Sequence, residues 1–516
     1  MEKLLKLIFS KKLLSIVFFA MQLFLLVSGF IWFEDYLAYL YWVQTLLCIT
    51  LVIYEMNQQK NPAFQMSWLT LIAIAPAFAI LLYLLVRVDY PSRKISKRLG
   101  YLIKTTNRHL PQMPDTARAL EQQDPRLGSL AKYLRESCGF PVYQNTDVRY
   151  YPLGEFMFDD LKRDLCHAKK FIFLEFFMIH HGIMWSAVHE ILKEKVAQGV
   201  EVRLMYDGMG GRLCMLPGDY YKTLEEEGIQ CRVFSPVYPL LSTAQNNRDH
   251  RKIVVVDGEI AYTGGINLGD EYINRLDRFG HWKDTAVRLT GDAVDSFSMM
   301  FLQLWNAADK KGSFREDEYL SYLSGVTGRK SQQAEGFVLP FGDSPLDGEP
   351  TGERVYLDLL NTAEQYVHVM TPYLVPSSEM RETLKFTAKR GVDVVLLLPH
   401  IPDKPYMHAL ARTYYPELIR SGVKIYEYLP GFVHSKLSAS DDRRAVVGTI
   451  NHDFRSLYLH YECAALMIDT PSVMDVEQDF LQTLKLSHKV TLADCMKINV
   501  ISRIFGCVLR LFAPLL

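Results

Sequence analysis

The sequence lacks paired cysteines. Its eight cysteines are scattered along 516 residues, and none lies in a Cys-x-x-Cys pair. Neither a zinc knuckle nor a disulfide framework is therefore visible. Buried free thiols in a reducing compartment are expected instead.

The chain also lacks an excess of charge of either sign. Its 57 lysines and arginines and 58 aspartates and glutamates give a formal net charge of −1. Nucleic-acid binding usually leaves a basic footprint, so no nucleic-acid partner is expected. No acidic cluster typical of a metal site is evident, so we expect neither a metal nor a cofactor. Hydrophobic residues are 49% and charged residues 22%, which predicts a globular chain of two or three domains.

The N-terminus carries three long apolar stretches, at about 13–33, 36–54 and 67–86. Each approaches the roughly 20 residues that a membrane-crossing helix needs. Basic residues flank the whole region, so the positive-inside rule places both flanks in the cytoplasm. Since three crossings would separate the flanks, and Pro76 can kink the third stretch, we predict two effective crossings. The expected protein is multi-pass in a cell membrane, with a cytoplasmic catalytic body.

The rest of the chain alternates short apolar runs with amphipathic stretches, which is typical of an α/β fold. The run at 171–179 predicts a strand, 187–198 a helix that ends at Gly199, and 200–206 the next strand. The same order recurs in the second half, with a strand at 366–370, a helix at 380–390 that ends at Gly391 and a strand at 392–398. The second half therefore duplicates the first.

The last residues place Ile501, Ile504, Phe505 and Val508 at helical spacing, with Arg503 on another face. A helix that rests on lipid and a helix docked on the protein core explain this pattern equally well. Residues 331–350, rich in Gly, Pro and polar residues, predict the link between the halves. The predicted units are a membrane anchor (1–90), a linker (91–130), a first α/β domain (131–330), an inter-domain linker (331–350), a second α/β domain (351–490) and a C-terminal amphipathic segment (491–516).

One motif occurs twice, as HRKIVVVDGEIAYTGGIN and as HSKLSASDDRRAVVGTIN. Two copies in one chain predict that each half contributes half of one active site. The matched residues are His250, Lys252, Asp257 and Asn267 in the first copy and His434, Lys436, Asp441 and Asn451 in the second. His and Lys are two apart, so on an extended strand they point to the same side. The aspartates lie at odd spacing from the lysines and are expected to brace the motif more than to touch the substrate.

These residue types suit phosphodiester chemistry without a metal. The lysines and asparagines would hold an anionic phosphate and the charge that develops during displacement. An ordinary histidine has a pKa of about 6.5, so one can be neutral while the other is protonated. The neutral one attacks phosphorus, and the protonated one serves as general acid and then as general base. The residues alone do not order the two roles.

The two motifs resemble those of the phospholipase D superfamily, whose members carry two HxKxxxxD motifs. The phrases NNRDHRKIVVVDGEIAYTGGINLGDEY, HWKDT, TPYLVP and FVHSKLSASDDRRAVVGTINHDFRSLYLHYE are similar to those of bacterial cardiolipin synthases. The resemblance implies two similar phospholipase D-like α/β halves with the active site at their interface, preceded by N-terminal transmembrane helices. It also implies that one phosphatidylglycerol forms a phosphatidyl-histidine and releases glycerol. A second phosphatidylglycerol then attacks, which gives cardiolipin.

The same resemblance favours His250 as nucleophile and His434 as acid and base. Asp284, in HWKDT, and Glu462 lie where such enzymes hold carboxylates, so they are predicted to orient the histidines. The usual GSxN phrase reads GGIN and GTIN here, which places less weight on a hydroxyl at position 265 or 449.

The implied partners are phosphatidylglycerol and cardiolipin in a bacterial plasma membrane, and the oligomeric state stays open. Two alternatives use the same residues: a membrane-bound phospholipase D that hydrolyses phospholipids to phosphatidic acid, and an inactive membrane scaffold. Four other histidines are expected to be hydrogen-bonded core residues: His167, His189, His368 and His460.

Overall fold

The structure, a computed structural model, is built around two β-sheets that share one topology. It describes residues 37–58, 61–86, 90–111, 113–237, 243–309, 319–323, 334–497 and 499–515, together with Ala20, Phe24 and Val27. The α/β class expected from the sequence is confirmed over these residues.

The first sheet has seven strands in the order β1-β9-β7-β6-β2-β3-β4. The strands β2, β3 and β4 run parallel, and the remaining neighbours run antiparallel. In chain order the strands of this half are β1 (Thr146–Tyr151), β2 (Phe171–Phe176), β3 (Glu201–Asp207), β4 (Gln230–Phe234), β5 (Arg248–Asp249), β6 (Ile253–Val256), β7 (Ile260–Gly264), β8 (His281–Lys283) and β9 (Ala286–Gly291).

The second half repeats this plan. Its strands are β10 (Phe337–Asp343), β11 (Tyr366–Met370), β12 (Asp393–Pro399), β13 (Lys424–Tyr428), β14 (Gly431–Val433), β15 (Leu437–Ser440), β16 (Arg444–Gly448), β17 (His460–Ile468) and β18 (Ser487–Lys489). The main order is β10-β17-β16-β15-β11-β12-β13-β18, and β5 of the first half pairs with β17. Strand for strand, this order matches the first sheet with β18 added at one edge.

Helices connect and cover the strands. The described helices are Leu37–Met56, Pro62–Ile74, Pro76–Val86, Tyr90–Thr106, Pro114–Gln123, Pro125–Glu136, Gly154–His167, Ile183–Ala197, Gly208–Leu213, Tyr220–Glu226, Val294–Ala308, Thr351–Thr362, Ser378–Lys389, Pro405–Arg412, Tyr415–Arg420, Phe454–Tyr458, Ser472–Lys485, Leu492–Met496 and Val500–Leu511. The two crossover helices end just before Gly199 and Gly391, whose positive φ angles of 86° and 95° turn the chain into the next strand. The helix Val294–Ala308 is buried along nearly its whole length and contacts strands of both sheets, so one core joins the halves.

Two segments that were expected to be linkers are folded. Residues 90–136 form three helices, and Leu99, Leu102 and Leu120 are buried in the main core. The apolar residues of this segment are too irregularly spaced to predict helices, and they are buried by packing against neighbouring elements. The segment 331–350 contains β10, the edge strand that pairs with β17. Its Pro and Gly residues are compatible with an edge strand.

The N-terminal apolar stretches fall partly outside the described residues, since nearly all of 13–33 does so. The second stretch is the helix Leu37–Met56, and the third is divided at Ala75, directly before Pro76. Within the part of the chain that the structure describes, no helix combines the length and hydrophobicity that a bilayer crossing requires.

Candidate active site

The start of each motif crosses to the opposite half of the molecule. Strand β5, just before His250, runs parallel to β17, and the His250 amide donates to the Tyr461 carbonyl over 2.9 Å. Strand β14, just before His434, runs parallel to β8, and the His434 amide donates to the Lys283 carbonyl over 2.7 Å. The backbone of each motif histidine is therefore held by the other half.

The imidazoles are held across the same boundary by carboxylates. His250 Nδ1 lies 2.9 and 3.0 Å from the two oxygens of Glu462, and His434 Nδ1 lies 2.6 Å from Asp284 Oδ2. Both carboxylates are fully buried. Since each carboxylate accepts a hydrogen bond from the Nδ1–H group, Nε2 carries the lone pair of each neutral ring. The sequence predicts that Asp284 and Glu462 orient the motif histidines without saying which carboxylate orients which ring. The structure pairs His250 with Glu462 and His434 with Asp284, each time from opposite halves.

The sheet register shows that the two carboxylates occupy equivalent positions. Gly264 pairs with Ala286 in the first sheet, and Gly448 pairs with Ala464 in the second. Counting back two residues from each alanine reaches Asp284 and Glu462. The site therefore has an approximate twofold relation between its halves.

The neighbouring GGIN and GTIN phrases differ in what they give these carboxylates. The Thr449 hydroxyl donates to Glu462, although the sequence places less weight on a hydroxyl at this position. At Gly265 a Cβ atom would lie 2.0 Å from Asp284 Oδ1, so this glycine leaves room for the carboxylate itself.

The motif lysines lie just before the strands rather than in them, and each folds back on its own motif. Lys252 Nζ donates to the His250 carbonyl over 2.6 Å, and Lys436 Nζ donates to the His434 carbonyl. Burial lowers the pKa of Lys252 to about 8 and that of Lys436 to about 7, although Glu462 and Asp284 oppose the shift. A bound phosphate anion would restore both charges, since an opposite charge favours the ionised form.

Both motif histidines favour the neutral form when no substrate is bound. Burial is the main cause: it lowers the pKa of His434 to about 4 and that of His250 well below its usual value. The carboxylates raise the pKa of the rings, and the lysines lower it. Burial alone would raise the pKa of Glu462, but attraction to His250, the hydrogen bond from His250 and the nearby His460 ring keep it below its usual range.

Asp257 and Asp441 have the contacts of a brace. The Asp257 carboxylate accepts hydrogen bonds from the amides of residues 169–171, at 2.7 to 2.9 Å, where β2 begins. The Asp441 carboxylate accepts from the amides of residues 364–366, at 2.8 to 2.9 Å, where β11 begins. Both carboxylates are thus occupied by backbone at the far end of the motif strand.

The two asparagines differ in how they are held. Asn267 Oδ1 accepts from the Met178 amide over 3.1 Å, and its Nδ2 donates to the Tyr272 hydroxyl over 2.8 Å. Asn451 is also buried, but its Oδ1 has no hydrogen-bond partner among the described residues.

His460 belongs to the site, contrary to the expectation of a hydrogen-bonded core residue. Its ring lies 5.5 Å from that of His250, and Nδ1 is 3.6 Å from Glu462 Oε1. Neither ring nitrogen has a hydrogen-bond partner in the described part of the chain. By the sheet register His460 matches Trp282, whose ring lies 5.4 Å from that of His434. The available signal was its position two residues before Glu462, as Trp282 precedes Asp284.

One trio in the site has the donors for a metal. Ligand atoms of His250, His460 and Glu462 all lie within 4.8 Å of one another. Two imidazoles and a carboxylate are ligands that Zn²⁺ accepts. In this structure, however, the carboxylate already binds the first of these imidazoles, so a metal would displace the hydrogen bond that orients His250.

A buried ionic cluster lies beside the first motif. Asp249 accepts from the Arg251 amide over 3.2 Å, and its own amide donates to Asp207 over 3.1 Å. Arg248 lies 3.7 Å from Asp207. Burial raises the pKa of Asp207 to about 7 and that of Asp249 to about 6. The residues that precede His434 are Phe and Val, so the two half-sites are electrostatically unequal.

Comparison with known proteins agrees with this arrangement. The family model described as "Cardiolipin synthase, PLD-like domain" matches residues 161–305 and 356–484. A cardiolipin synthase of Geobacillus sp. is 32% identical over 468 residues, which cover 89% of this chain and 90% of that protein. The chain belongs to the cardiolipin synthase family of PLD-like proteins. The recognition made from the motifs is thereby confirmed, and the family places the chain among the phospholipid phosphatidyltransferases of the phospholipase D superfamily.

One further sequence relative and one solved structure are also similar to this chain. An uncharacterized protein of Streptococcus mutans serotype c is 46% identical over 465 residues, covering 90% of this chain and 99% of that protein. The crystal structure of a phosphatidylserine synthase of Haemophilus influenzae Rd KW20 superposes with a TM-score of 0.54 at 14% identity. That match covers 72% of this chain and 93% of the other, and it shows the shared fold.

Proposed function

We propose that this family member is a cardiolipin synthase that joins two phosphatidylglycerol molecules and releases glycerol. The observation that carries the proposal is the reciprocal hold on the two histidines. Each half supplies the imidazole of one histidine and the carboxylate that orients the other. Such a pair suits a double displacement, in which one ring attacks and the other transfers protons.

In the first step, His250 Nε2 attacks the phosphorus of one phosphatidylglycerol. The bond from phosphorus to the headgroup glycerol breaks, and protonated His434 gives its proton to the leaving oxygen. The bound phosphate raises the pKa of His434 from its low value in the free site, since a nearby anion favours the charged ring. Lys252 and Lys436 balance the charge on the non-bridging oxygens.

In the second step, neutral His434 takes the proton of a primary hydroxyl on the second phosphatidylglycerol. That oxygen attacks phosphorus, the bond from phosphorus to His250 breaks, and cardiolipin leaves. Proton and bond counts balance without a metal or cofactor. Water in place of the second lipid would give phosphatidic acid from the same intermediate.

The unequal half-sites support His250 as the nucleophile. The phosphorylated ring of this residue would be positively charged, and Glu462 is held on its far side with Thr449 and His460 close by. Asp284 has one imidazole and the amide of Thr285 as its partners. Burial keeps the His250 ring neutral before the reaction, and Glu462 lies beside Nδ1, where its carboxylate would balance the charge of the phosphorylated ring.

The test uses the purified full chain in mixed micelles with phosphatidylglycerol as the single phospholipid. Mass analysis should find cardiolipin and glycerol in equal amounts. Rapid denaturation at mildly alkaline pH, where the P–N bond survives, should trap a phosphatidyl group on the peptide that contains His250. His250→Ala should abolish both, and His434→Ala should abolish turnover. Phosphatidic acid as the main product would identify a hydrolase, and full activity in either variant would refute the shared site.

A further inference from the structure

The C-terminal helix Val500–Leu511 has two faces with different roles. Gly506 lies against the helix Pro405–Arg412, so closely that a Cβ atom would be 2.6 Å from the Ala409 carbonyl oxygen. Arg510 fixes the same side, because it pairs with Glu417 at 3.3 Å and lies 4.3 Å over the Tyr414 ring. The helix is therefore docked on the protein through its small and basic residues.

The opposite face is apolar and points outward. At 3.6 residues per turn, Ile504 and Val508 lie on the side away from Gly506. The exposed fractions are 76% for Ile501, 60% for Ile504 and 48% for Val508. An amphipathic helix docked on a core normally turns this face inward. Here the docking is complete without it.

A helix that contacts the C-terminal helix also exposes apolar side chains. The hydroxyl of Ser67 donates to the Leu511 carbonyl over 3.0 Å, so the helices Pro62–Ile74 and Val500–Leu511 are joined. Met66 and Ile74 on the former are 60% and 69% exposed. Arg503 is exposed on the C-terminal helix and adds positive charge, whereas the exposed Lys497 pairs with Asp494 at 3.2 Å.

The helix Pro62–Ile74 is also connected to the catalytic strand. The ring of Phe64 packs 5.9 Å from those of Phe454 and Tyr458, and Asn61 donates to the Tyr458 hydroxyl over 2.7 Å. Tyr458 lies two residues before His460, where β17 begins.

We propose that the helix Val500–Leu511 lies in the headgroup layer of a phospholipid bilayer and fixes the active site relative to the membrane surface. The partner is a lipid surface that contains anionic phospholipid. Apolar side chains would enter the acyl boundary, and Arg503 would meet the headgroups. This deepens the proposed function, because a lipid surface is where its substrate is found.

Two native cysteines provide the test. Cys507, exposed on this helix, receives an environment-sensitive fluorophore in a chain whose Cys48, Cys138 and Cys166 are replaced by alanine. The matched control carries the fluorophore on exposed Cys166, with Cys507 replaced. Both proteins are reconstituted in vesicles of phosphatidylcholine and phosphatidylglycerol that contain lipids with a nitroxide high on the acyl chain.

We expect several-fold quenching of the Cys507 probe and little quenching of the Cys166 probe. Equal quenching at the two sites, or none at Cys507, would overturn the inference. A blue shift at Cys507 that depends on protein concentration and not on lipid would assign the face to a second copy, which also overturns it. The measurement is repeated with His250→Ala, so that quenching without activity separates this inference from the proposed function.

A variant pair then tests the consequence for turnover. The double substitution Ile504→Asp and Val508→Asp should abolish Cys507 quenching and lower transfer on vesicles by about tenfold, because two apolar side chains lose their burial in lipid. Transfer with monomeric short-chain phosphatidylglycerol should stay within about twofold, which also verifies folding. Ser502→Asp, on a polar part of the helix, should change neither. Unchanged vesicle activity in the double variant would refute the role in positioning.

Discussion

The substitution Glu462→Gln removes one negative charge from the site and keeps the shape of the side chain. Glu462 is fully buried and accepts from His250 Nδ1 at 2.9 and 3.0 Å. A glutamine can still accept one hydrogen bond, but it cannot balance the positive ring that the proposed phosphorylation of His250 would create. We expect the phosphatidyl transfer step to suffer most.

The size of the loss follows from the kind of bond that is weakened. A hydrogen bond to a charged group contributes about 1.5 to 3 kcal/mol, and each 1.36 kcal/mol in the barrier is a factor of ten in rate. Glu462→Gln should therefore lower kcat about 10- to 150-fold. The KM for phosphatidylglycerol should change little, because the lost interaction strengthens only as charge develops on the ring.

The chain contains a matched control in His368 and Glu477. Their Nδ1 to carboxylate distances are also 2.9 and 3.0 Å, and both side chains are buried. His368 stacks between Tyr366 and Phe480 on the strand beside β15, and no motif histidine is among its ring contacts in the described part of the chain. Glu477→Gln should lower the thermal midpoint about as much as Glu462→Gln and leave transfer unchanged.

The assay measures cardiolipin formation in mixed micelles under saturating phosphatidylglycerol, beside the thermal midpoint of each variant. If both glutamine variants retain full activity, the carboxylate does not stabilise the charged ring, and the assignment of His250 as nucleophile loses its support. If both lose activity equally, the effect is one of stability, and the reasoning from the hydrogen bond is wrong.

Three further predictions concern pH, metals and steric fit. The two motif lysines must be protonated to bind phosphate, and their pKa values are lowered to about 7 and about 8. The value of kcat/KM should therefore fall as pH rises through this range. The value of kcat should fall at higher pH, because bound phosphate favours the charged lysines. EDTA should leave the rate unchanged, whereas micromolar Zn²⁺ should inhibit through His250, His460 and Glu462, and His460→Asn should shift the inhibition curve at least tenfold to higher Zn²⁺; Zn²⁺ inhibition equal in both proteins would exclude this trio. Gly265→Ala should displace the Asp284 carboxylate and lower activity more than tenfold. Gly218→Ala, which has open space around it, is the control and should leave both activity and the thermal midpoint unchanged.

The local signals in the sequence were sufficient for the motifs and the fold class. The strand at 366–370 was predicted with the bounds observed, and the helix ends at Gly199 and Gly391 lie within two residues of their predicted places. These features depend on periodicity and on residues next to each other in the chain. The paired phrases around His250 and His434 are informative for the same reason.

The sequence could not decide how the halves contact each other. His250 and Glu462 are 212 residues apart, and His434 and Asp284 are 150 apart, so their pairing depends on how β5 meets β17 and β14 meets β8. For the same reason, a hydrogen-bonded core was right for His368 and wrong for His460. Burial alone does not reveal whether a histidine faces a core carboxylate or a catalytic ring.

The C-terminal helix illustrates the same division. Its spacing of apolar residues determined that one face would be hydrophobic, since the pitch of a helix is a local property. Only the packed structure decided which face meets the protein, because Gly506 fits against Ala409 and leaves Ile504 exposed. The spacing of residues along a helix is fixed by the chain itself, whereas the contacts of each side chain depend on distant segments that pack against it.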